Sequence, residues 1–164
     1  SFVNNFYTII VQIFYQMSTI KKESAAPMIG SLLRMPREYV VARMLAEVNN
    51  QGFDVSGTEL SVFMYPGPDG RRPIDLARQC NTSRQSMNYI LAGLEQRGYI
   101  ERKSTPDSAS SVVHVTTKGQ QMYARMRSCV ASIEQEWTEY LGVKRFSALR
   151  DTLQDLSSWL SETR

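Results

Sequence analysis

The stretch "IDLARQCNTSRQSMNYILAGLEQRGYIERK", Ile74 to Lys103, leaves a chain few choices of fold. Leu76, Ala77 and Cys80 keep a helical period, Asn81 interrupts it, and the period resumes at Met87, Ile90, Leu91 and Leu94 before Gly98 stops it. Pro73 suits the first turn of the first helix, because its missing N–H has no intrahelical partner there. Asn is among the few non-glycine residues that tolerate the left-handed conformation a tight interhelical turn needs. The small side chain of Ala77 lets the second helix cross closely, and Met87 and Ile90 point back into the same small core. Only Thr82 fits poorly, since an apolar residue is more usual there. "YIERK" and "SVVHVT" then read as two short strands around the polar loop "STPDSAS". Helix, tight turn, helix, strand, loop, strand is the order of a winged helix-turn-helix.

The second helix opens on an unusual cluster: Ser83, Arg84, Gln85, Ser86, Asn88 and Tyr89. Ser83 is an N-cap, leaving backbone N–H groups free to meet a phosphate. The others lie on or beside the face opposite Met87, Ile90, Leu91 and Leu94, at the helix end that enters a major groove. A forked Arg group matches guanine O6 and N7, and Gln or Asn matches adenine N6 and N7. Charge agrees with this: the window Arg71 to Lys103 carries seven basic and three acidic residues, a net of +4 in a chain whose total is +3. Arg102 and Lys103, at the base of the hairpin, are candidate phosphate contacts. Cap and solvent residues are the plainer reading of this stretch, and the core, the polar cluster and the basic window together argue against it.

The rest of the chain is helical. From Arg37 an apolar stripe (Val40, Val41, Met44, Leu45, Val48) predicts a helix that ends at Gly52. Ser56 and Glu59 fit a capping box for a short helix burying Leu60, Phe63 and Met64, and "YPGPDGRRP" is a loop. Thr117 to Leu141 is one long helix with Met122, Met126, Cys129, Val130, Ile133, Trp137 and Leu141 on one face. Gly142 breaks it before a last helix carrying Phe146, Leu149, Leu153, Leu156 and Leu160. The first segment, "SFVNNFYTIIVQIFYQM", is apolar but interrupted by Asn4, Asn5, Gln12 and Gln16 and short for a membrane span. It reads as an interface helix rather than a membrane anchor, followed by the polar linker "STIKKESAAP".

Several function classes lack their residues. Two cysteines, Cys80 and Cys129, make no disulfide framework and suit a reducing cytoplasm. The single histidine, His114, reads as an exposed strand residue; without a Cys or His cluster no metal site is expected, and no cofactor. There is no glycine-rich phosphate loop and no nucleophile elbow, so no catalytic residues are assigned and the chain is not expected to be an enzyme. A cysteine redox switch is disfavoured, because both cysteines fall at core positions. Tyr39, Phe63, Met64, Tyr65 and Met122 are candidates to line a ligand pocket, though core packing explains most of them.

From about Arg37 to Leu160 the chain resembles the MarR family of bacterial transcriptional regulators. The resemblance is carried by "IDLARQCNTSRQSMNYILAGLEQRGYIERK" and by Val115, Thr116, Thr117, Lys118 and Gly119, where the family shows L-T-x-x-G. It implies a mainly α protein with a small β-hairpin wing, a winged helix-turn-helix plus a helical dimerisation region. The corresponding division is 1–30 for the apolar helix and linker, 37–52 and 117–164 for dimerisation, and 53–116 for DNA binding. A homodimer on a near-palindromic operator in double-stranded DNA follows, with a repressor released by a small, often aromatic, effector. One departure stands out: the family wing commonly carries an Arg after its Asp, whereas Asp107 is followed by Ser108, Ala109, Ser110 and Ser111. Minor-groove contact by the wing is therefore not expected from its usual residue. A winged-helix module that binds another protein, and never DNA, is the alternative that this departure leaves open.

Overall fold

The computed structural model describes residues 26–64, 67–105 and 108–163. The apolar segment 1–17 and Tyr65 therefore lie outside the described residues. Two compact units divide the chain, residues 1–37 and 38–164.

Helix α1 spans Ile29–Asn50 and so begins eight residues before the Arg37 start expected from the sequence. Pro36 invites the later start, because proline is best tolerated in a first helical turn. Here it sits inside the helix, where its ring removes one intrahelical hydrogen bond. The boundary between the two units falls just after it. In the first unit Met28, Ile29, Leu32, Leu33 and Met35 are all exposed.

The second unit is built around the helix-turn-helix. Helix α2, Gly57–Phe63, starts with the expected capping box: the Glu59 N–H donates to Ser56 Oγ and the Ser56 N–H donates to Glu59 Oε2 at 2.9 Å. Helix α3 is Pro73–Gln79 and helix α4 is Arg84–Gln96. Between them Asn81 has φ 50°, the only non-glycine positive φ among the described residues, and the Thr82 N–H closes the turn on Ala77 O at 2.9 Å. Leu60, Val62, Phe63, Leu76, Ala77, Met87, Leu91 and Leu94 are buried together, so the face read as inward is the inward face. Burial of each large side chain stabilises by about 1.5–3 kcal/mol, which outweighs the weak helix propensity of so polar an α4.

The wing is the antiparallel pair β1, Ile100–Thr105, and β2, Ser108–Val115, in register from Ile100 opposite Val115 to Ser104 opposite Ser111. Both strands run further toward the loop than "YIERK" and "SVVHVT", because ladder bonds come from backbone that serine supplies as well as valine does, while Tyr99 and Thr116 fall outside them. The loop before α3 also joins in. Gly70 N–H donates to Val113 O and Val113 N–H donates to Arg71 O, both at 2.8 Å. His114 is half-buried rather than simply exposed, with Nδ1 3.5 Å from the Asp69 carboxylate that also accepts the Val115 N–H.

Helix α5, Thr117–Leu141, is capped by Thr116, whose Oγ1 accepts the Gly119 N–H. It buries Met122, Met126, Cys129 and Ile133 against Met44 and Val48 of α1 and the helix-turn-helix core. Gly142, at φ 82°, turns the chain into helix α6, Val143–Glu162. No residue of α6 is buried, and Leu149, Leu153, Leu156 and Leu160 remain 37–48% exposed along it.

Candidate nucleic-acid interface

Ser83 caps α4: its Oγ accepts the Ser86 N–H at 3.0 Å and donates to Ser86 Oγ at 2.9 Å. Both serines are thus committed to the helix start, with their oxygens still at the surface. Arg84, Gln85, Asn88 and Tyr89 are exposed, Tyr89 by 84%. None of these side chains belongs to the buried core, so core packing does not account for the cluster. A groove of about 640 Å³ runs beside it, between the start of α2 and α4, with Gln85, Ser86 and Tyr89 on one wall.

The two cations at the wing base differ. Lys103 is 60% exposed and pairs with its neighbour Glu101 at 2.7 Å, a surface contact of little strength. Arg102 is turned inward. Its Nε lies 3.2 Å from Glu95 Oε2, its Nη2 donates to the Asn88 carbonyl at 3.4 Å, and its backbone N–H donates to Glu95 Oε1 at 3.1 Å. Sequence reasoning had no means of pairing residues seven and fourteen positions apart across a helix–strand junction.

Two clefts flank the other side of the core and share Phe63 and Tyr123. One, of about 330 Å³, has Met44, Met64 and Met126 as walls and Arg127 and Arg150 at its edge. The other, of about 380 Å³, is lined by Asp69, Arg71 and Gln120. Of the pocket candidates, Phe63 and Met64 do line a cleft. Met122 is fully buried in the core, and Tyr39 is occupied elsewhere, donating to Glu136 Oε2 and accepting from Arg43 beside the Trp137 ring. Tyr123 was missed because it sits one residue, about 100° of helix turn, from Met122 on the core stripe.

Cys80 is half-buried and Cys129 buried, and burial pushes both thiols up from their ordinary value. A thiol held protonated is a poor nucleophile, which opposes an oxidant-sensing role. Among the described residues no group of His, Cys, Asp and Glu is placed to hold a metal ion, and no helix is long and apolar enough to cross a membrane.

The family model described as "MarR family" matches residues 53–109, which hold α2, the helix-turn-helix and most of the wing. No curated protein matches the chain by sequence. Solved structures do match by fold. The transcriptional repressor CouR bound to a 23-mer DNA duplex aligns with a TM-score of 0.61 and 25% identity, over 82% of this chain and 99% of that one. The oxidised form of MarR from Escherichia coli aligns with a TM-score of 0.66 and 18% identity, over 80% and 96%. The Mycobacterium tuberculosis MarR-family protein Rv2887, in complex with salicylic acid, aligns with a TM-score of 0.60 and 21% identity, over 82% and 99%. These relatives are transcriptional regulators, not enzymes. Residues 53–109 are thus similar to the MarR family, and the fold around that segment is the one these solved structures share.

Proposed function

We propose that the protein is a homodimeric, sequence-specific DNA-binding regulator, a cytoplasmic repressor released by a small aromatic ligand. The observation that carries this is the outward face of α4, where Ser83, Arg84, Gln85, Ser86, Asn88 and Tyr89 stand exposed on a helix whose other face is fixed in a buried core. Arg84, Gln85 and Asn88 read base edges in the major groove, Ser83 and Ser86 approach the backbone, and Lys103 adds a phosphate contact. CouR, which shares the fold, holds a DNA duplex, and Rv2887 holds salicylic acid. A second copy covers the apolar stripe of α6, and two-fold symmetry then presents two reading helices to a near-palindromic operator in double-stranded DNA. The clefts beside Tyr123 receive the effector, with Arg127 or Arg71 facing its acidic group. Residues 37–52 and 117–164 form the dimerisation region and 53–116 the DNA-binding domain.

Titration against random duplex DNA at low and high salt tests the reading. Binding that weakens steeply with salt supports it, since phosphate contacts release counterions. No retention of duplex at low salt would favour a winged-helix module for a protein partner, a reading that fits the lack of an arginine after Asp107 and the inward Arg102.

A further inference from the structure

We infer that Arg102 and Glu95 are a positioning pair that sets the wing against the reading helix, so that Arg102 governs operator discrimination without touching DNA. This rests on the DNA-binding reading above.

The strand order supplies the reason. Val113, opposite Arg102 in the register, spends both its N–H and its C=O on Arg71 and Gly70. Arg102 and Val113 are therefore a non-hydrogen-bonded pair, and the Arg102 N–H points out from the edge of the hairpin. Glu95 of α4 takes that N–H with one carboxylate oxygen and faces the guanidinium with the other. One side chain thus closes an open strand edge and holds a cation at once. The guanidinium then reaches on to Asn88 O, in the half of α4 that carries the exposed polar cluster. Arg102 in this way links the wing base to two points of α4 that lie about two turns apart.

Its charge is not available as Lys103's is. The Arg102 side chain is 24% exposed against 60% for Lys103, and its partner carboxylate belongs to another element, whereas that of Lys103 lies two residues away on the same strand. Reaching a phosphate would require Arg102 to leave Glu95 and the Asn88 carbonyl together. Arg also suits the place by its shape: its rigid planar fork faces the carboxylate and donates to the carbonyl in fixed geometry, which a compact ammonium on a flexible stem does not reproduce.

The two roles predict opposite results for Glu95. If Arg102 bound phosphate, removing the Glu95 charge would strengthen binding to every duplex. If the pair positions the helix, Glu95→Gln and Arg102→Ala should weaken discrimination alike. The experiment selects a preferred duplex from a random pool, then titrates wild type, Glu95→Gln, Arg102→Ala, Arg102→Lys and Lys103→Ala against it and a scrambled duplex at two salt concentrations. Circular dichroism checks that each variant is folded. For Glu95→Gln, Arg102→Ala and Arg102→Lys the expected result is a loss of preference of about threefold to tenfold with the salt slope unchanged. For Lys103→Ala the slope falls by about one with the preference intact. Full rescue by Arg102→Lys, or tighter binding by Glu95→Gln, overturns the proposal. Amide hydrogen exchange on the DNA-free protein gives a second reading: Glu95→Ala should speed exchange of the Arg102 N–H and leave α3 unaffected. Unchanged exchange there overturns the pairing even if DNA binding holds, whereas wild type binding no duplex overturns the DNA reading instead.

Discussion

A Cβ on Gly119 would lie 2.1 Å from the carbonyl oxygen of Tyr99 and 2.8 Å from Val115 Cγ1. The first turn of α5 is therefore seated directly on the backbone at the start of the wing. Thr116 N–H donates to that same Tyr99 oxygen, and Thr116 Oγ1 donates to Gly98 O. No rotamer relieves a clash with backbone. Gly119→Ala should cost about 1–3 kcal/mol, read as a lower midpoint in chemical denaturation. A wild-type midpoint would mean that α5 is not held against the wing in this way.

Replacing Arg84, Gln85 or Asn88 by alanine should each lose roughly 1–3 kcal/mol on the preferred duplex and relax discrimination at one position. Non-specific binding should change little for Gln85→Ala and Asn88→Ala, which remove no charge. Equal losses on preferred and scrambled duplexes would show that α4 does not read sequence.

Acid should act through Glu59. Burial works against its charge, but the Ser56 N–H, the Arg97 guanidinium and the Ser56 hydroxyl outweigh that and hold the carboxyl below its ordinary value. A depressed folded-state pKa means stability that is fully present at neutral pH and is lost as pH falls from the ordinary carboxylate range through the folded value. Denaturation midpoints followed downward from pH 6 should therefore fall less steeply for Glu59→Gln, which starts from lower stability at pH 7. Parallel curves for the two proteins would remove Glu59 from the acid response.

Light scattering should report a dimer at micromolar protein that Leu153→Glu converts to monomer. Because no α6 side chain is buried within the protomer, the helical circular dichroism of the variant should match wild type. A dimer that survives this change would place the interface elsewhere.

The helix-turn-helix was legible because its signals are local. Helical period, the Asn81 turn and the Ser83 cap each act within four residues, and the structure keeps all three. The capping box at Ser56 is legible for the same reason. What sequence could not give is the use a side chain finds across space. Glu59 serves its cap and also receives Arg97 from the end of α4; Arg102 turns to Glu95; Tyr123, not Met122, meets the clefts. The start of α1 was misread because a proline's local preference for a first turn yields to the continuity of a long helix.

Alternate faces of α4 answer to separate demands. Met87, Leu91 and Leu94 are locked into the core, and Asn81 before them is confined to the few residues that accept its backbone angle. Arg84, Gln85, Asn88 and Tyr89 touch none of that core, so exchanging them costs the scaffold almost nothing. On the DNA-binding reading proposed above, descendants of this chain would change what the helix meets by single substitutions while inheriting its stability intact, and two copies after duplication would part in their targets without either scaffold changing.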